Sequence, residues 1–495
     1  MPNSRTEAGL PQRTEVLIIG AGMSGLAMGR QLKRAGVRDF LIAERAEGPG
    51  GVWRANAYPG AACDVPSHLY SYSFFPNPDW SRKFAPQAEI KAYFERASAE
   101  FGLEPHIRYG KSVRALTYEE AEGVWRIEFE HGAQLEARAV ISAVGQLSEP
   151  FSPEFEGRDQ FKGQIVHTAE WTPDIDMTGK RVGMIGSAAS AIQVLPHAAK
   201  AARTLSVFQR TPNWIIPKPD RPFTAVEKGL FRYAPGYHWL YRMGSFLLHE
   251  LRWPAFRSGG LAAAYTRHRL TRRIKSQVED KAVLDQVLPD YAPGCKRILL
   301  SNDFFETLNQ PHVHLVTDGV QRFTPEGVMT AGGEVIEADL VILATGFKAT
   351  EFLPNLDVRG RGGHSLKAVW GESPTAYKGV ALSGFPNLFT LYGPNTNLGH
   401  NSIIFMIERQ TEFVRRQTMR LLNADAISLE VSEAAQNAFN ARLQKRLSDT
   451  VWAGECPSWY KSPDGIIVSN WAGPASRYAL ALSGRDTDAF VLETP

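Results

Sequence analysis

The stretch EVLIIGAGMSGLAMGRQLKRAGVRDFLIAER spans Glu15–Arg45. Its first apolar run, Val16–Ile19, is short and unbroken, as expected of a parallel strand buried on both faces. The run ends at Gly20, Gly22 and Gly25, spaced G-x-G-x-x-G. A helical pattern continues through Leu32, with Gly36 placed to cap its C-terminus. DFLIAE then reads as a second strand ending at Glu44. Strand, glycine turn, helix and second strand closed by an acid make a βαβ dinucleotide-binding unit. The glycines let backbone amides approach a pyrophosphate at the helix N-terminus. Glu44 would accept hydrogen bonds from ribose hydroxyls.

The pattern recurs in KRVGMIGSAASAIQVLPHAAKAARTLSVFQRTP, Lys180–Pro212. A strand over Arg181–Ile185 meets a turn of Gly186, Ser187, Ala188, Ala189, Ser190 and Ala191. A helix follows through Ala199, and TLSVFQR is the next strand. Ala188 stands where the first unit has its second glycine, and a Cβ there would crowd a pyrophosphate. The strand closes on Arg210 instead of an acid. An arginine suits a 2′-phosphate, so this unit is expected to take NADPH over NADH.

At 495 residues the chain exceeds one core. A net charge of +3 gives no reason to expect nucleic acid as a partner. Cys63, Cys295 and Cys456 lie far apart without a CxxC pair, which argues against a disulfide framework and a zinc site. A reducing cytoplasm is the simplest location on that reading. The polar start MPNSRTEAGLPQRTE shows no secretory signal, and no uncharged apolar run reaches membrane-spanning length. No metal site is expected.

RAVISAVGQLSEP and EADLVILATGFKAT each read as an apolar strand followed by a bend, at Gly145 and Gly346. These mark where the chain passes between the two units. The expected division is a discontinuous first dinucleotide-binding domain of residues 1–150 and 350–495, a second, NADPH-binding domain of 151–216 and 291–349, and a helical insert of 217–290. The insert contains GYHWLYRMGSFLLHELRWPAFRSGGLAAAYTRHRLTRRIKSQ, which is helical, aromatic and arginine-rich. It could be a membrane-surface or partner helix, or a cover over the active site with a solvated basic face. The second reading is preferred, because Gly and Pro interrupt the stretch, and no membrane partner is expected. TEFVRRQTMRLLN and SEAAQNAFNARLQKRL are further helix candidates.

Between the units lies FKGQIVHTAEW, with Phe161, Gly163, His167 and Trp171 spaced F-x-G-x-x-x-H-x-x-x-W. Upstream, GGVWRANAYPGAACD (Gly50–Asp64) sets Gly50, Gly51 and Trp53 before a Tyr58-Pro59-Gly60 corner and Asp64. Both resemble fingerprints of the type I Baeyer–Villiger monooxygenases, and the resemblance extends from Val16 to LYGPNTNLGHNSI. Thr172 and Ala188 depart from the family pattern.

The resemblance implies two dinucleotide-binding (Rossmann-like) domains of α/β class with a helical insert, and FAD and NADPH as cofactors. It implies that NADPH reduces the flavin, that reduced flavin and dioxygen give a peroxide anion, and that the anion attacks a ketone to yield an ester or lactone. A cation must then stand beside the anion. GCKRILLSNDFFETLNQPHVHLV resembles the family segment carrying it, and the matching residue is Arg297. Its pKa above about 12 lets it stabilise an anion without protonating it. Asp64 would position Arg297. Gly51, Val52 and Trp53 would line the flavin, with Tyr70, Val113 and Ile403 as weaker matches. Gly186–Ser190 and Gln193 would hold NADPH, and Arg210, Thr211 and Lys296 its 2′-phosphate. His167 would couple domain movement and take no part in the chemistry. Oxygenation of an amine nitrogen or sulfur, which is disfavoured by Trp171, and a non-catalytic flavoprotein remain as alternatives.

Overall fold

The computed structural model describes residues 9–495, apart from Glu279 and Pro457. The polar N-terminal segment through residue 8 lies outside the described residues. Strand β1 (Arg13–Ile19) runs into helix α1 (Met23–Arg34), followed by β2 (Phe40–Ala43). The two strands are parallel, Val16 opposite Phe40. Side chains alternate across β1, as the period of two requires: Val16 and Ile18 enter the core that holds α1, and Leu17 and Ile19 enter the core on the opposite face.

Helix α2 (Val52–Ala55) and α3 (Gln87–Glu100) follow. The sheet then adds β3 (Ile107–Arg108), an antiparallel pair β4 (Val113–Glu119) and β5 (Val124–Phe129), and β6 (Gln134–Ser142). β6 lies parallel to β1 on the side away from β2. Residues 357–359 and 388–390 join this same sheet, so it draws strands from two separate parts of the chain.

A second sheet repeats the plan. β7 (Gln164–His167) and β8 (Arg181–Ile185) precede α4 (Ala189–Ala201) and β9 (Thr204–Phe208). A short parallel pair, β10 (Ile215–Ile216) and β11 (Leu299–Leu300), flanks the helical insert. β12 (Val313–Val316) continues the main sheet. A small antiparallel sheet of β13 (Val320–Thr324), β14 (Gly327–Thr330) and β15 (Val335–Glu337) comes next, and then β16 (Leu340–Leu343). The parallel order is β12-β9-β8-β16-β7.

The bends at Gly145 and Gly346 face each other. Phe151 N donates to Gly346 O at 2.9 Å, Lys348 N to Glu149 O at 3.0 Å, and Gln146 Nε2 to Ala349 O at 2.8 Å. Both passages between the sheets therefore form one paired ribbon.

The insert forms α5 (Ala225–Tyr233), α6 (Tyr237–Glu250), α7 (Leu261–Gln277) and α8 (Lys281–Val287). Gly236 caps α6, and Pro254 and Gly260 stand between α6 and α7, so the stretch is interrupted as expected, whereas Gly244 lies inside α6 without breaking it. Tertiary anchoring of one face outweighs the ~1 kcal/mol propensity cost of a single glycine. No helix among the described residues is long and apolar enough to cross a membrane. The first C-terminal helix candidate begins earlier than expected, at Ile403, and runs to Asn423.

The cysteines require a correction. Cys295 and Cys456 form a disulfide across a sequence separation of 161, with Cα atoms 6.4 Å apart, and Cys63 is free and buried. A single bridge over that distance leaves no spacing signal in the sequence, and the cysteine-based argument for a reducing compartment falls with it.

Candidate active site

A cavity of about 1540 Å³ lies against both glycine turns. Of the residues expected to bind cofactor or act in catalysis, Gly25 alone does not line it. Gly25 serves packing instead: a Cβ there would fall 1.8 Å from Gly20 O, so α1 crosses directly over its own turn.

The first turn is held by its acid. Glu44 is buried, and it accepts from Ala21 N at 2.6 Å and Ala46 N at 2.9 Å. Each carboxylate oxygen keeps a second acceptor site for a ribose hydroxyl. The Gly50–Asp64 loop is tied to this turn through Gly50 N and Ala21 O at 3.0 Å. A Cβ at Gly51 would come 3.0 Å from Gly22 Cα. The two backbones thus form a side-chain-free cradle at the cavity, which fits a flat dinucleotide. Trp53 Nε1 donates to Tyr70 Oη at 3.0 Å. Val52, Val113 and Ile403 reach the same cavity from α2, β4 and the helix at 403–423.

The Tyr58-Pro59-Gly60 corner rests on the second unit. Tyr58 Oη donates to Gln193 Oε1 at 2.9 Å, and Gln193 Nε2 donates to Ala62 O at 2.9 Å. Gln193 therefore ties α4 to the loop while also lining the cavity.

Asp64, at the end of that loop, meets Arg297. Arg297 Nε donates to Asp64 Oδ2 at 3.0 Å and Nη2 to the same oxygen at 2.5 Å. Burial pushes the Asp64 carboxyl upward, but the charge and hydrogen bonds of Arg297 outweigh it and hold the pKa below the usual value. The Asp64 charge in turn raises Arg297 against the opposing effect of burial. The pair stays ionised. Two constraints place Arg297: pairing of β11 with β10, and the disulfide at Cys295.

Lys296 Nζ donates to Thr211 Oγ1 at 2.7 Å. Burial and the neighbouring charge of Arg210 both lower the Lys296 pKa. Two cations and a hydroxyl gathered beside the second turn fit a phosphate group. Ser187, buried in that turn, is fixed by Asn213 Nδ2, which donates to Ser187 O at 3.1 Å.

Sequence reasoning missed Tyr392 and Tyr460. Both lie in the field of the Arg297–Asp64 pair. Burial raises both phenols, Tyr460 to about 12. Tyr392 Oη donates to Asn397 Oδ1 at 2.9 Å, and its backbone sits at φ 59°. Asn397, Ser458 and Trp459 line the cavity as well. The loop YGPNTNLGHN closes the stretch that carries the family resemblance, but nothing in it singles out Tyr392.

Residues 13–227 match the family described as flavin-binding monooxygenase-like. The chain is 39% identical over 482 residues to a Baeyer–Villiger monooxygenase of Pseudomonas aeruginosa, covering 97% of this chain and 92% of that protein. The chain belongs to the Baeyer–Villiger monooxygenase family. Among solved structures, it is similar to an oxidized steroid monooxygenase bound to NADP, at 30% identity and a TM-score of 0.86 over 98% of this chain and all of that one. It is also similar to OTEMO complexed with FAD and NADP, at 28% identity and a TM-score of 0.87, covering 97% and 99%.

In this Baeyer–Villiger monooxygenase the fingerprint histidine lies off the cavity. His167 ends β7, is buried, and accepts from Ala169 N at 3.1 Å through Nδ1. Its ring meets Phe347 edge-on at 6.3 Å, beside the ribbon that joins the sheets. Burial lowers its pKa, so the imidazole is neutral at physiological pH. Ala169 and Glu170, two and three residues on, reach the cavity.

Proposed function

We propose that this protein is an FAD- and NADPH-dependent enzyme that inserts one atom of dioxygen beside a ketone carbonyl, giving an ester or lactone. Ketone, dioxygen, NADPH and a proton yield the ester, NADP⁺ and water. The observation that carries the reading is the ionised Arg297–Asp64 pair in a cavity shared by two nucleotide turns. When bound, the flavin supplies the activation of dioxygen, using electrons from NADPH.

The protein's own residues do the remaining work. The Gly20, Gly22 and Gly51 backbones and Glu44 would hold FAD, with Trp53 and Tyr70 along its flank. Gly186–Ser190 would bind the NADPH pyrophosphate, and Arg210, Thr211 and Lys296 would bind its 2′-phosphate. Arg297 keeps a fixed positive charge where negative charge develops on oxygen, and it does not surrender a proton there. Asp64 orients that guanidinium through two of its nitrogens and stabilises its charge. His167 would couple the cavity edge at Ala169–Glu170 to the ribbon at Gly346–Phe347. The proposed domain division is residues 1–150 with 350–495 for FAD, 151–216 with 291–349 for NADPH, and an insert at 217–290.

The test is a ketone panel with NADPH and dioxygen, products identified by mass and fragmentation, and a thioether and a tertiary amine run alongside. Esters one oxygen heavier than their ketones support the reading. Sulfoxide or N-oxide without any ester overturns it.

A further inference from the structure

The insert carries an apolar face that nothing among the described residues covers. α6 is docked by one side only. His238 Nε2 lies 2.9 Å from His68 Nδ1, Arg242 donates to Ser71 O at 2.8 Å, and Phe246 packs on Phe405 with ring centroids 4.7 Å apart. At its end Glu250 accepts from Asn401 Nδ2 at 2.8 Å and from Ala475 N at 2.9 Å. The opposite side presents Trp239, Leu240, Met243, Leu247 and Leu248, with Leu251 one turn on, and all are exposed. Trp239 is 60% exposed and Leu248 64%. The spacing is that of one helical stripe.

The neighbouring helices repeat the feature. α5 exposes Val226, Leu230 and Tyr233, and α7 exposes Leu261 and Tyr265, again at helical spacing. Eleven of the seventeen large exposed hydrophobic residues among those described fall between 226 and 265, less than a tenth of the chain. Such concentration marks an interaction face.

Charge identifies the occupant. Residues 225–277 hold ten Lys and Arg against two Asp and Glu, in a chain whose net charge is +3, so the remainder is net acidic. Both acids are already engaged: Glu227 caps α5 and pairs with Arg221, and Glu250 holds the end of α6. Arg269, Arg272, Arg273 and Lys275 are exposed on α7. A second copy of this chain, paired about a two-fold axis, would set this basic surface against itself. An anionic lipid surface satisfies both features, apolar side chains entering the acyl boundary and cations meeting headgroups.

We propose that the outer face of the insert, centred on α6, is a peripheral docking surface for anionic bilayers. The inner face of the same helix packs against segments 68–71 and 401–405, which supply Tyr70, Asn401 and Ile403 to the cavity. Docking would therefore place the lipid surface one helix away from the cavity wall. It stands whether or not the ketone reading holds.

The experiment is flotation of the full-length holoprotein with vesicles of phosphatidylcholine alone, or with about one third phosphatidylglycerol, at low and high salt. Binding to the mixed vesicles, weak binding to the neutral ones and release by salt are expected. A triple variant Leu240→Glu, Leu247→Glu, Leu248→Glu and a second, Arg269→Glu, Arg272→Glu, Arg273→Glu, should each lower the partition coefficient at least ~10-fold. Both alter exposed residues, and retained flavin absorbance and melting temperature would show that they fold. Absence of wild-type binding to the mixed vesicles overturns the proposal, as does equal binding by folded variants. A concentration-dependent dimer that the leucine variant abolishes, without vesicle binding by wild type, would assign the face to a second copy and also overturn it.

Discussion

The two nucleotide turns share a backbone but differ in what fills the space around it. Gly20 and Gly186 stand at φ +102° and +117°, and a Cβ on either would strike the return strand's carbonyl, Ala143 O at 2.9 Å and Ala344 O at 2.4 Å. Gly22 and Ala188 both cap their helices in extended conformation, at φ −76° and −87°. Conformation therefore requires a glycine only at the first position of each turn. At the second position the first turn meets the Gly50–Trp53 loop, whereas Ala188 is open to the cavity. At the third, Gly25 of α1 lies against Gly20 O with no room for a Cβ, and the second unit buries Ala191. Glu44 and Arg210 each stand 24 residues beyond the first glycine and give the two sites opposite charge.

The sharpest break of this comparison is Gly25→Ala. The new methyl would overlap Gly20 O, and α1 would have to move, at a cost of about 3 kcal/mol or more. We expect protein purified without flavin and with a lowered melting temperature. Ala191→Gly, at the matching position, should cost only about 0.5–1 kcal/mol and keep both cofactors. Similar behaviour of the two variants would show that the turns pack alike.

Arg297→Ala tests the junction between the sites. Removal of one preorganised donor at a developing oxyanion costs about 3–4 kcal/mol, roughly 10²–10³-fold in ester formation. NADPH oxidation should continue, with hydrogen peroxide accumulating. Arg297→Lys keeps charge without the planar fork, so it should recover part of the ester yield. Near-normal ester yield from Arg297→Ala would remove this residue from the chemistry.

The opposite charges at the strand ends predict a cofactor preference. Arg210→Ala should raise the KM for NADPH by roughly 10- to 100-fold, the worth of one charge-assisted hydrogen bond, and leave that for NADH nearly unchanged. Steady-state kinetics with both nucleotides decides it. Equal use of NADH and NADPH by the unaltered enzyme would void the assignment.

Both turns were legible because each is local: strand, bend, helix and strand lie within about thirty residues, and their periodicities are intrinsic to the backbone. Asp64 and Arg297 were legible through resemblance alone, since 233 residues separate them. Tyr392 and Tyr460 were not, because their approach to Arg297 depends on how the C-terminal third folds back. The Cys295–Cys456 bridge failed for the same reason. The apolar stripe of α6 failed for a different one. A period of 3.6 reports that a helix has an apolar side, and it is silent on whether anything covers that side.

The smallest and most diagnostic change is Ala188→Gly. The backbone at Ala188 lies in a region open to every residue, so glycine relieves no strain. Ala188 is also a helix N-cap, where glycine is preferred over alanine, which offsets its greater freedom in the unfolded chain. Stability should therefore change by less than about 0.5 kcal/mol. What does change is one methyl group exposed at the cavity beside the second turn. If the turn binds the NADPH pyrophosphate as the first is proposed to bind that of FAD, the methyl holds the phosphates away from the amides. Its removal should then lower the KM for NADPH about two- to fivefold with turnover unchanged, within the range of a modest gain in hydrogen bonding. A rise in KM would mean that the methyl is a contact in its own right. The second turn would then bind its nucleotide by a geometry the first does not share.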